Sequence, residues 1–296
     1  GLGDVYKRQV LQGFNVLRHI KYLFGDTRPR VLELGPGCGY LGALLMLEGY
    51  PYAGSDVTQA FYLYQNHFWN ALSDGKVYEG ALGGLDRNAL ASIPAGSAVH
   101  VPWWELGRLR PETIPQFDVL TCNHMLGEMH PNSMRFSLLL ARACLQGDGS
   151  SLKAVVFDRW GHCSPEEEAQ IAKTFYEYGF RLVHHDRNIV VLVPAESPHA
   201  VGHLPLPTQS IQSSLNFADG QLVQENVAVE SWAPIQYQSE ANPLSNVILQ
   251  RWREDDSRRT IGIEQLNSVI TAMLGSSKHM SEDEEFLSMI NQVGLL

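Results

Sequence analysis

The sequence predicts an α/β fold, with a doubly wound, mostly parallel sheet and an irregular or helical C-terminal appendage. Short apolar runs alternate with segments of helical periodicity as far as Pro194, a pattern typical of a parallel sheet with helices on both faces. The last two apolar runs, 180–185 and 189–193, are joined by a connection of hairpin length, so one of them must be antiparallel. Beyond Pro194, the prolines at 198, 205 and 207 indicate an extended linker, and residues 209–255, rich in Gln, Ser and Asn, give weak and ambiguous signals.

Composition limits the class of protein. The chain has 296 residues, enough for one large or two modest domains, and its 22 Lys+Arg against 32 Asp+Glu give a net charge of -10. This acidic balance disfavours a nucleic-acid partner, because phosphates are bound through an excess of Lys and Arg. No apolar run approaches the roughly 18 residues of a membrane span. The four cysteines lie far apart, which indicates neither a disulfide framework nor a structural zinc site and favours a reducing cytoplasm.

The elements follow from apolar spacing and from the residues that end each run. Helices are predicted where apolar residues recur every three or four positions: 10–24, 40–48, 59–72, 131–144, with Pro131 in its first turn, and 165–178. Strands are predicted where short apolar runs end at turn residues: 31–34, 52–55, 98–103, 117–122, 152–157, 180–185 and 189–193. Gly25, Gly49 and Gly179 end three of the helices, and Ser164 with Glu167 forms a capping box before another.

The ends of the chain carry weaker signals. Because the first residue is Gly rather than Met, we expect a fragment at the N-terminus and assign no function to residues 1–9. Two further helices are predicted over 261–274 and 282–292. We therefore expect a main domain over 1–195 and an extension over 196–296 that consists of a linker and helices and can act as a cap.

The strongest functional signal is Glu33-Leu34-Gly35-Pro36-Gly37-Cys38-Gly39, which leads from the first predicted strand into a helix. Alternating glycines let a ligand approach the backbone closely. The helix that follows offers unpaired N–H groups and the positive end of its dipole. Dinucleotide-binding enzymes use the same geometry for a pyrophosphate, so an NAD-dependent oxidoreductase is one alternative and a purely structural turn is another.

The register of the glycines disfavours the dinucleotide alternative. Gly37, Gly39 and Gly42 satisfy G-x-G-x-x-G literally, but Gly37 lies two residues after the point where the first glycine should follow the strand. Counted from Gly35, the third glycine position is occupied by Tyr40, which cannot replace a packing glycine.

Two acidic residues favour a different cofactor. Glu33 places a carboxylate near the end of a buried strand, which is costly unless a cation or donors meet it. S-adenosylmethionine (SAM) supplies such a cation in its methionine ammonium group, whereas NAD does not. Asp56 ends the second predicted strand, 17 positions beyond Gly39. Its carboxylate can accept both ribose hydroxyls of a nucleoside, although capping of the next helix, shared with Thr58, is the alternative.

These residues resemble those of class I SAM-dependent methyltransferases. The run from Glu33 to Gly39 matches the first motif of that family, E/D-x-G-x-G-x-G, Asp56 falls on its acidic second motif, and 117–123 resembles its fourth strand. The resemblance covers about residues 10–194 and implies a seven-stranded sheet of order 3-2-1-4-5-7-6 with strand 7 antiparallel. Three short segments are also similar to bacterial sugar O-methyltransferases: 54–66, 123–129 and 157–161.

SAM is therefore the expected cofactor. Trp103 or Trp104, after the third predicted strand, can supply a flat surface for adenine, although one of the two can instead belong to the core. The residues predicted to bind the cofactor are Glu33, Gly35, Gly37, Gly39, Asp56, Trp103 and Asn123. Cys38 is expected to be a small residue of the loop and not a nucleophile.

The catalytic residues are expected after the fourth strand, at the carboxyl end of the sheet, where open α/β folds bind ligands. A hydroxyl acceptor must be aligned with the methyl group and must lose its proton. His124 is the predicted general base, because imidazole titrates near neutral pH, and Glu128 is predicted to orient it or to bind the substrate. The alternative is that both residues cap the next helix. His130, Asp158 and His162 are further candidates near the acceptor.

No metal site is predicted. His184 and His185 are successive residues of a strand and point to opposite faces, so they cannot share an ion. Metal dependence through Asp158 and nearby acids stays open.

The sequence thus predicts a SAM-dependent methyltransferase that methylates an oxygen of a small polar, sugar-like molecule. A non-catalytic SAM-binding module that serves as a partner or regulatory subunit is the alternative from another class, and an NAD-dependent oxidoreductase is a third. A small-molecule acceptor is the expected partner, with neither nucleic acid nor membrane. The acceptor itself and the oligomeric state stay open.

Overall fold

A computed structural model describes most of the chain. The described residues are 2–83, 85, 87–109, 114–146, 149, 151–158, 164–186, 189–201, 217–218, 221–222 and 242–255. The chain divides into two compact units, Gly1–Arg110 together with a segment that begins at Arg253, and Pro111–Trp252. The predicted helices over 261–274 and 282–292 lie outside the described residues. The predicted boundary between 1–195 and 196–296 stays a prediction.

The strands follow the predicted apolar runs. In chain order they are β1 (Val31–Leu34), β2 (Tyr52–Ser55), β3 (Val77–Glu79), β4 (Ala98–His100), β5 (Val119–Thr121), β6 (Ala154–Asp158), β7 (Phe180–His185), β8 (Ile189–Pro194), β9 (Phe217–Ala218) and β10 (Gln221–Leu222). The α-helices are α1 (Leu2–Phe24), α2 (Tyr40–Leu47), α3 (Gln59–Ser73), α4 (Gly80–Gly83), α5 (Arg87–Ala91), α6 (Trp103–Leu106), α7 (Pro131–Cys144), α8 (Pro165–Glu177) and α9 (Pro243–Glu254).

Strand order confirms the predicted fold class. In the part of the chain that the structure describes, eight strands are hydrogen-bonded in the order β3-β4-β2-β1-β5-β6-β8-β7, and β9 pairs with β10 separately. The seven predicted strands keep the implied order 3-2-1-4-5-7-6, and the seventh, β8, is antiparallel to both of its neighbours. The predicted number of seven is wrong by one, because β3 adds an edge strand. Val77 and Glu79 are only half-buried. Because this short edge strand has no fully buried residue, its sequence shows no apolar run from which a strand could be predicted.

In the first unit the four strands β3, β4, β2 and β1 are parallel to their neighbours. Helix α1 packs on α2, and both contribute fully buried side chains such as Ile20 and Leu44. Each such side chain contributes about 1.5–3 kcal/mol to stability. The third predicted strand, 98–103, ends early at His100. Pro102 cannot donate to a ladder, and it instead precedes the short helix α6.

In the second unit β5 and β6 are parallel, and the hairpin of β7 and β8 completes this part of the sheet. All residues of β6 and β8 are buried, which is typical of interior strands that are covered on both faces. The predicted capping box of Ser164 and Glu167 is formed at the start of α8. Helix α9 was not predicted, although Leu244 and Ile248 lie four residues apart and are both buried. Among the described residues, no helix has the length and apolar character that crossing a membrane requires.

Candidate functional site

The loop between β1 and α2 depends on its glycines, and we call residues 35–39 the glycine loop. Gly35, Gly37 and Gly39 have φ angles of 67°, 56° and 73°, all in the left-handed region. An L-residue with a side chain costs roughly 1–2 kcal/mol more in this conformation. The three predicted glycines therefore stand where the backbone requires them. Helix α2 begins directly after Gly39, which has no side chain to cap the first N–H groups.

The glycines differ in what surrounds them. A Cβ atom on Gly39 would lie 2.8 Å from Nε1 of Trp69, which donates a hydrogen bond to the Gly39 carbonyl at 2.9 Å. A Cβ atom on Gly37 would meet nothing within 4 Å. Packing therefore requires a glycine at position 39, whereas position 37 borders open space that a ligand can occupy.

This difference predicts unequal effects of alanine. Gly39→Ala is expected to lower the free energy of unfolding by about 2–4 kcal/mol, because backbone strain and a clash with Trp69 act together. Gly37→Ala, with a similar φ and no clash, is expected to cost about 1–2 kcal/mol. Urea unfolding of both variants measures the difference. Equal losses would contradict the packing role of Gly39.

Glu33 is buried within β1, as the sequence predicted. It is 2% exposed, and its Oε2 accepts a hydrogen bond from the Tyr52 hydroxyl at 2.7 Å. Burial, together with the neighbouring Glu33 charge, raises the pKa of Tyr52 well above its usual value, so this hydroxyl stays protonated and acts as a donor. A carboxylate in such a place is suited to a cationic ligand at the end of the strand.

Asp56 follows β2 directly and contacts the glycine loop. Its Oδ2 accepts from the Gly37 N–H at 3.1 Å, and its Oδ1 accepts from the Thr58 N–H at 2.8 Å. The carboxylate is 5% exposed. Thr58 is the N-cap of α3 and makes no capping bond with its own side chain. Asp56 therefore joins the two predicted halves of the site and also orders the start of α3.

Sequence reasoning missed Gln65 of α3. Its Nε2 lies 2.6 Å from the Gly37 carbonyl oxygen and 3.0 Å from Oδ2 of Asp56. Gln65 is fully buried, three positions before the buried Phe68. A polar residue on the apolar face of a predicted helix was the available signal.

Trp103 and Trp104 follow β4 at the start of α6. Their side chains are 53% and 45% exposed, so the alternative that one of them belongs to the core is wrong. Their rings meet edge to face at 6.2 Å. The adenine-binding role of Trp103 stays a prediction. Burial raises the pKa of the Cys38 thiol, so the thiolate form is disfavoured.

In the second unit, side chains at the ends of β5 and β6 form a polar cluster. His124 Nε2 lies 2.9 Å from Oδ2 of the buried Asp158. The Asn123 side chain donates to the Thr121 hydroxyl at 2.9 Å and accepts from the Asp158 N–H at 3.0 Å. Asn123 thus holds the end of β6 in place, and its predicted contact with the cofactor stays a prediction.

His124 has an unusual backbone. Its φ of 58° is left-handed, which is uncommon for a residue other than glycine, and such strain is concentrated at functional sites. Its side chain is 24% exposed, whereas Asp158 is 2% exposed. The pair therefore combines a ring that a substrate can reach with a buried carboxylate that orients it.

The other candidates in this loop have different positions. Glu128 is exposed at the end of a 3₁₀ turn, Leu126–Glu128. His130 is the N-cap of α7, and its Nδ1 accepts from the Asn132 N–H at 3.2 Å. The alternative that His124 and Glu128 cap this helix is therefore wrong, because His130 has that role. His162 lies outside the described residues.

Comparisons with known proteins give similarity of overall structure only. No family model and no curated protein match the chain. A TehB-like SAM-dependent methyltransferase from Corynebacterium glutamicum is 13% identical, with 62% of this chain and 86% of that one covered and a TM-score of 0.38. Magnesium protoporphyrin IX methyltransferase from Synechocystis, solved with bound SAM, is 16% identical, with 62% and 79% covered and a TM-score of 0.39. A ribosomal protein L11 methylase from Lactobacillus delbrueckii is 15% identical, with 60% and 77% covered and a TM-score of 0.34. Similarities of this size carry no argument about what this chain does.

Proposed function

We propose that this chain is a SAM-dependent methyltransferase. The observation that carries the proposal is the glycine loop with its three left-handed glycines, bonded through the Gly37 N–H to Asp56 at the end of the neighbouring strand. Ligands of open α/β sheets bind outside the carboxyl ends of the strands. A nucleoside bound here has its ribose at Asp56, and the buried Glu33 carboxylate supplies the charge for the methionine ammonium group.

The observed strand boundary supports SAM over NAD. Strand β1 ends at Leu34, so Gly35 is the first residue after it. Counted from there, the third position of the dinucleotide fingerprint is Tyr40, which is 4% exposed and packs edge to face against Phe68 at 6.2 Å. A large buried ring at this position replaces the glycine that close helix–strand packing requires in dinucleotide-binding enzymes.

The acceptor is a hydroxyl of a small polar, sugar-like molecule. SAM supplies an activated methyl group, and a hydroxyl must lose its proton to attack it. The Asp158 carboxylate orients the His124 ring through Nε2, and the imidazole is the group that takes the proton of the acceptor. A base with an orienting carboxylate supports oxygen as the methylated atom.

Calorimetry with SAM and with S-adenosylhomocysteine, its demethylated product, tests the proposal. Both are expected to bind the full chain, and Asp56→Ala is expected to weaken binding by roughly 1.5–3 kcal/mol for each lost charged hydrogen bond. Absence of binding at millimolar ligand would reject the proposal. A fluorescence titration with NADH tests the oxidoreductase alternative in the same samples.

Turnover separates an enzyme from a non-catalytic SAM-binding module. Transfer of labelled methyl from SAM to a panel of free sugars and glycosides is expected for the unaltered chain. If SAM binds but no member of the panel is labelled, the sugar assignment fails. The module alternative is then supported if His124→Ala leaves the biological role of the chain intact.

A further inference from the structure

A chain of polar side chains links the edge strand β3 to the glycine loop within the first unit. Oε2 of Glu79 lies 3.3 Å from Nδ1 of His100, and Nε2 of His100 lies 3.1 Å from Oε1 of Gln65. Gln65 in turn contacts the Gly37 carbonyl and Asp56, at 2.6 and 3.0 Å. Polar residues of β3, β4 and α3 are therefore linked to the glycine loop and to Asp56, the residue after β2.

The partners of Gln65 determine how its amide is oriented. Nε2 lies between a carbonyl oxygen and a carboxylate oxygen, and both of these only accept. The amide oxygen therefore faces His100, whose Nε2 must carry the hydrogen. A flipped amide would place its oxygen against two acceptors in a fully buried position, which is costly. Gln65 thus holds Gly37 and Asp56 in one arrangement.

His100 cannot easily turn away from Gln65. It is fully buried, with the Tyr62 ring stacked on it at 3.7 Å and the Trp69 ring edge-on at 4.9 Å. Glu79 accepts hydrogen bonds from the Tyr62 hydroxyl and from the side chain of Asn66. Burial alone would raise the pKa of Glu79, but its contacts with His100 and Tyr62 lower that pKa below its usual value, so Glu79 stays ionised. Tyr62 and Asn66 therefore hold the Glu79 carboxylate in place beside His100.

These contacts occupy most of the Asp56 carboxylate. Its Oδ2 accepts from both the Gly37 N–H and Gln65, and its Oδ1 accepts from the Thr58 N–H. An ionised carboxylate has about four lone-pair positions. Three of them have donors, which leaves one position, on Oδ1, for a ligand.

We propose that Gln65 is a positioning residue that fixes Asp56 and the glycine loop, so that Asp56 accepts a hydrogen bond from one ribose hydroxyl of the cofactor and not from both. The inference rests on the proposed function, because it requires a nucleoside at this site. It replaces the bidentate contact that the sequence alone suggested. The second hydroxyl is then recognised by a group other than Asp56.

Ligands that lack one hydroxyl test the role of Asp56. Calorimetry compares S-adenosylhomocysteine with its 2′-deoxy and 3′-deoxy analogues, on the unaltered chain and on Asp56→Ala. One analogue is expected to bind the unaltered chain about tenfold or more weakly than S-adenosylhomocysteine, and Asp56→Ala is expected to abolish that difference. The penalty for the other analogue is expected to be the same in both proteins. The inference is overturned if the variant removes both penalties or neither.

A substitution in α3 tests the role of Gln65. Gln65→Met keeps the length of the side chain and removes its donors, and Gln59→Met makes the same change at an exposed position of the same helix. Gln65→Met is expected to weaken binding of S-adenosylhomocysteine about tenfold, and to weaken binding of the analogue without the Asp56-bound hydroxyl much less. The control is expected to change binding less than twofold. Equal losses for all three ligands, or no loss, would overturn the role of Gln65.

The outcomes separate this inference from the proposed function. If the unaltered chain does not bind S-adenosylhomocysteine, the proposed function fails and the inference fails with it. If the unaltered chain binds it but shows none of the expected coupling, the inference alone fails. Should Gln65→Met not fold, as judged by circular dichroism, Gln65→Asn carries the same comparison, because its shorter amide cannot span both acceptors.

Discussion

Replacement of His124 by alanine is expected to lower kcat for methyl transfer by about 10²–10⁴-fold, the usual contribution of a general base. The loss should appear in kcat, while the affinity for S-adenosylhomocysteine stays unchanged, because the variant removes proton transfer and no cofactor contact. Calorimetry and initial rates with labelled SAM measure the two quantities on the same preparation.

A matched control exists in the same loop. His130→Ala removes an imidazole that caps α7 and is expected to cost about 0.5–2 kcal/mol of stability, with kcat unchanged when the enzyme is assayed well below its melting temperature. If His124→Ala retains kcat within threefold of the unaltered chain, another group removes the proton and the assignment of His124 is wrong.

The carboxylate partner of His124 can be identified by replacing each candidate carboxylate with its amide and comparing the effects on kcat. Asp158→Asn is expected to lower kcat more than Glu128→Gln, because Asp158 lies 2.9 Å from the imidazole and Glu128 is exposed. The sequence analysis predicted that Glu128 orients His124 or binds the substrate. If Glu128→Gln lowers kcat more than Asp158→Asn does, the predicted role of Glu128 in binding the substrate is supported instead.

Local spacing explains why the glycine loop and its neighbour Asp56 could be predicted. The glycines at positions 35, 37 and 39 are each required by a left-handed φ, which is a property of the backbone at that residue. Asp56 follows from the same reasoning, because the ends of two adjacent parallel strands must lie at one edge of the sheet. Strand order was implied by the resemblance to class I SAM-dependent methyltransferases, and the hairpin indicated independently that one of the last two strands is antiparallel.

Contacts between distant segments explain what could not be predicted. Gln65, His100 and Glu79 lie in three different elements. The apolar helix face around Gln65 was a signal for that residue, but nothing in the sequence indicated its contacts with the other two. The pairing of His124 with Asp158 joins residues 34 positions apart and depends on a left-handed backbone at a residue that has a side chain. Spacing along one element predicts which residues share a face, but it cannot select a partner on another strand.

The second large effect is expected from Glu33→Gln, which should weaken binding of SAM without lowering the stability of the protein. The variant removes a buried charge and keeps the shape and an acceptor for the Tyr52 hydroxyl. Because burial of a charge is costly, the free energy of unfolding without ligand is expected to stay the same or to rise. Affinity for SAM is expected to fall by about 1.5–3 kcal/mol, the worth of a charged hydrogen bond to the methionine ammonium group.

Ligand structure supplies the control for this prediction. Methylthioadenosine has the nucleoside and the sulfur but lacks the ammonium group, so Glu33→Gln is expected to bind it as tightly as the unaltered chain does. Tyr52→Phe, by contrast, removes a donor from the buried carboxylate and is expected to lower stability by about 1–3 kcal/mol. Calorimetry with both ligands and urea unfolding of both variants complete the comparison. Equal loss of affinity for SAM and for methylthioadenosine would mean that Glu33 shapes the loop and does not bind the ammonium group. A loss of stability in Glu33→Gln would instead assign Glu33 a structural role within β1.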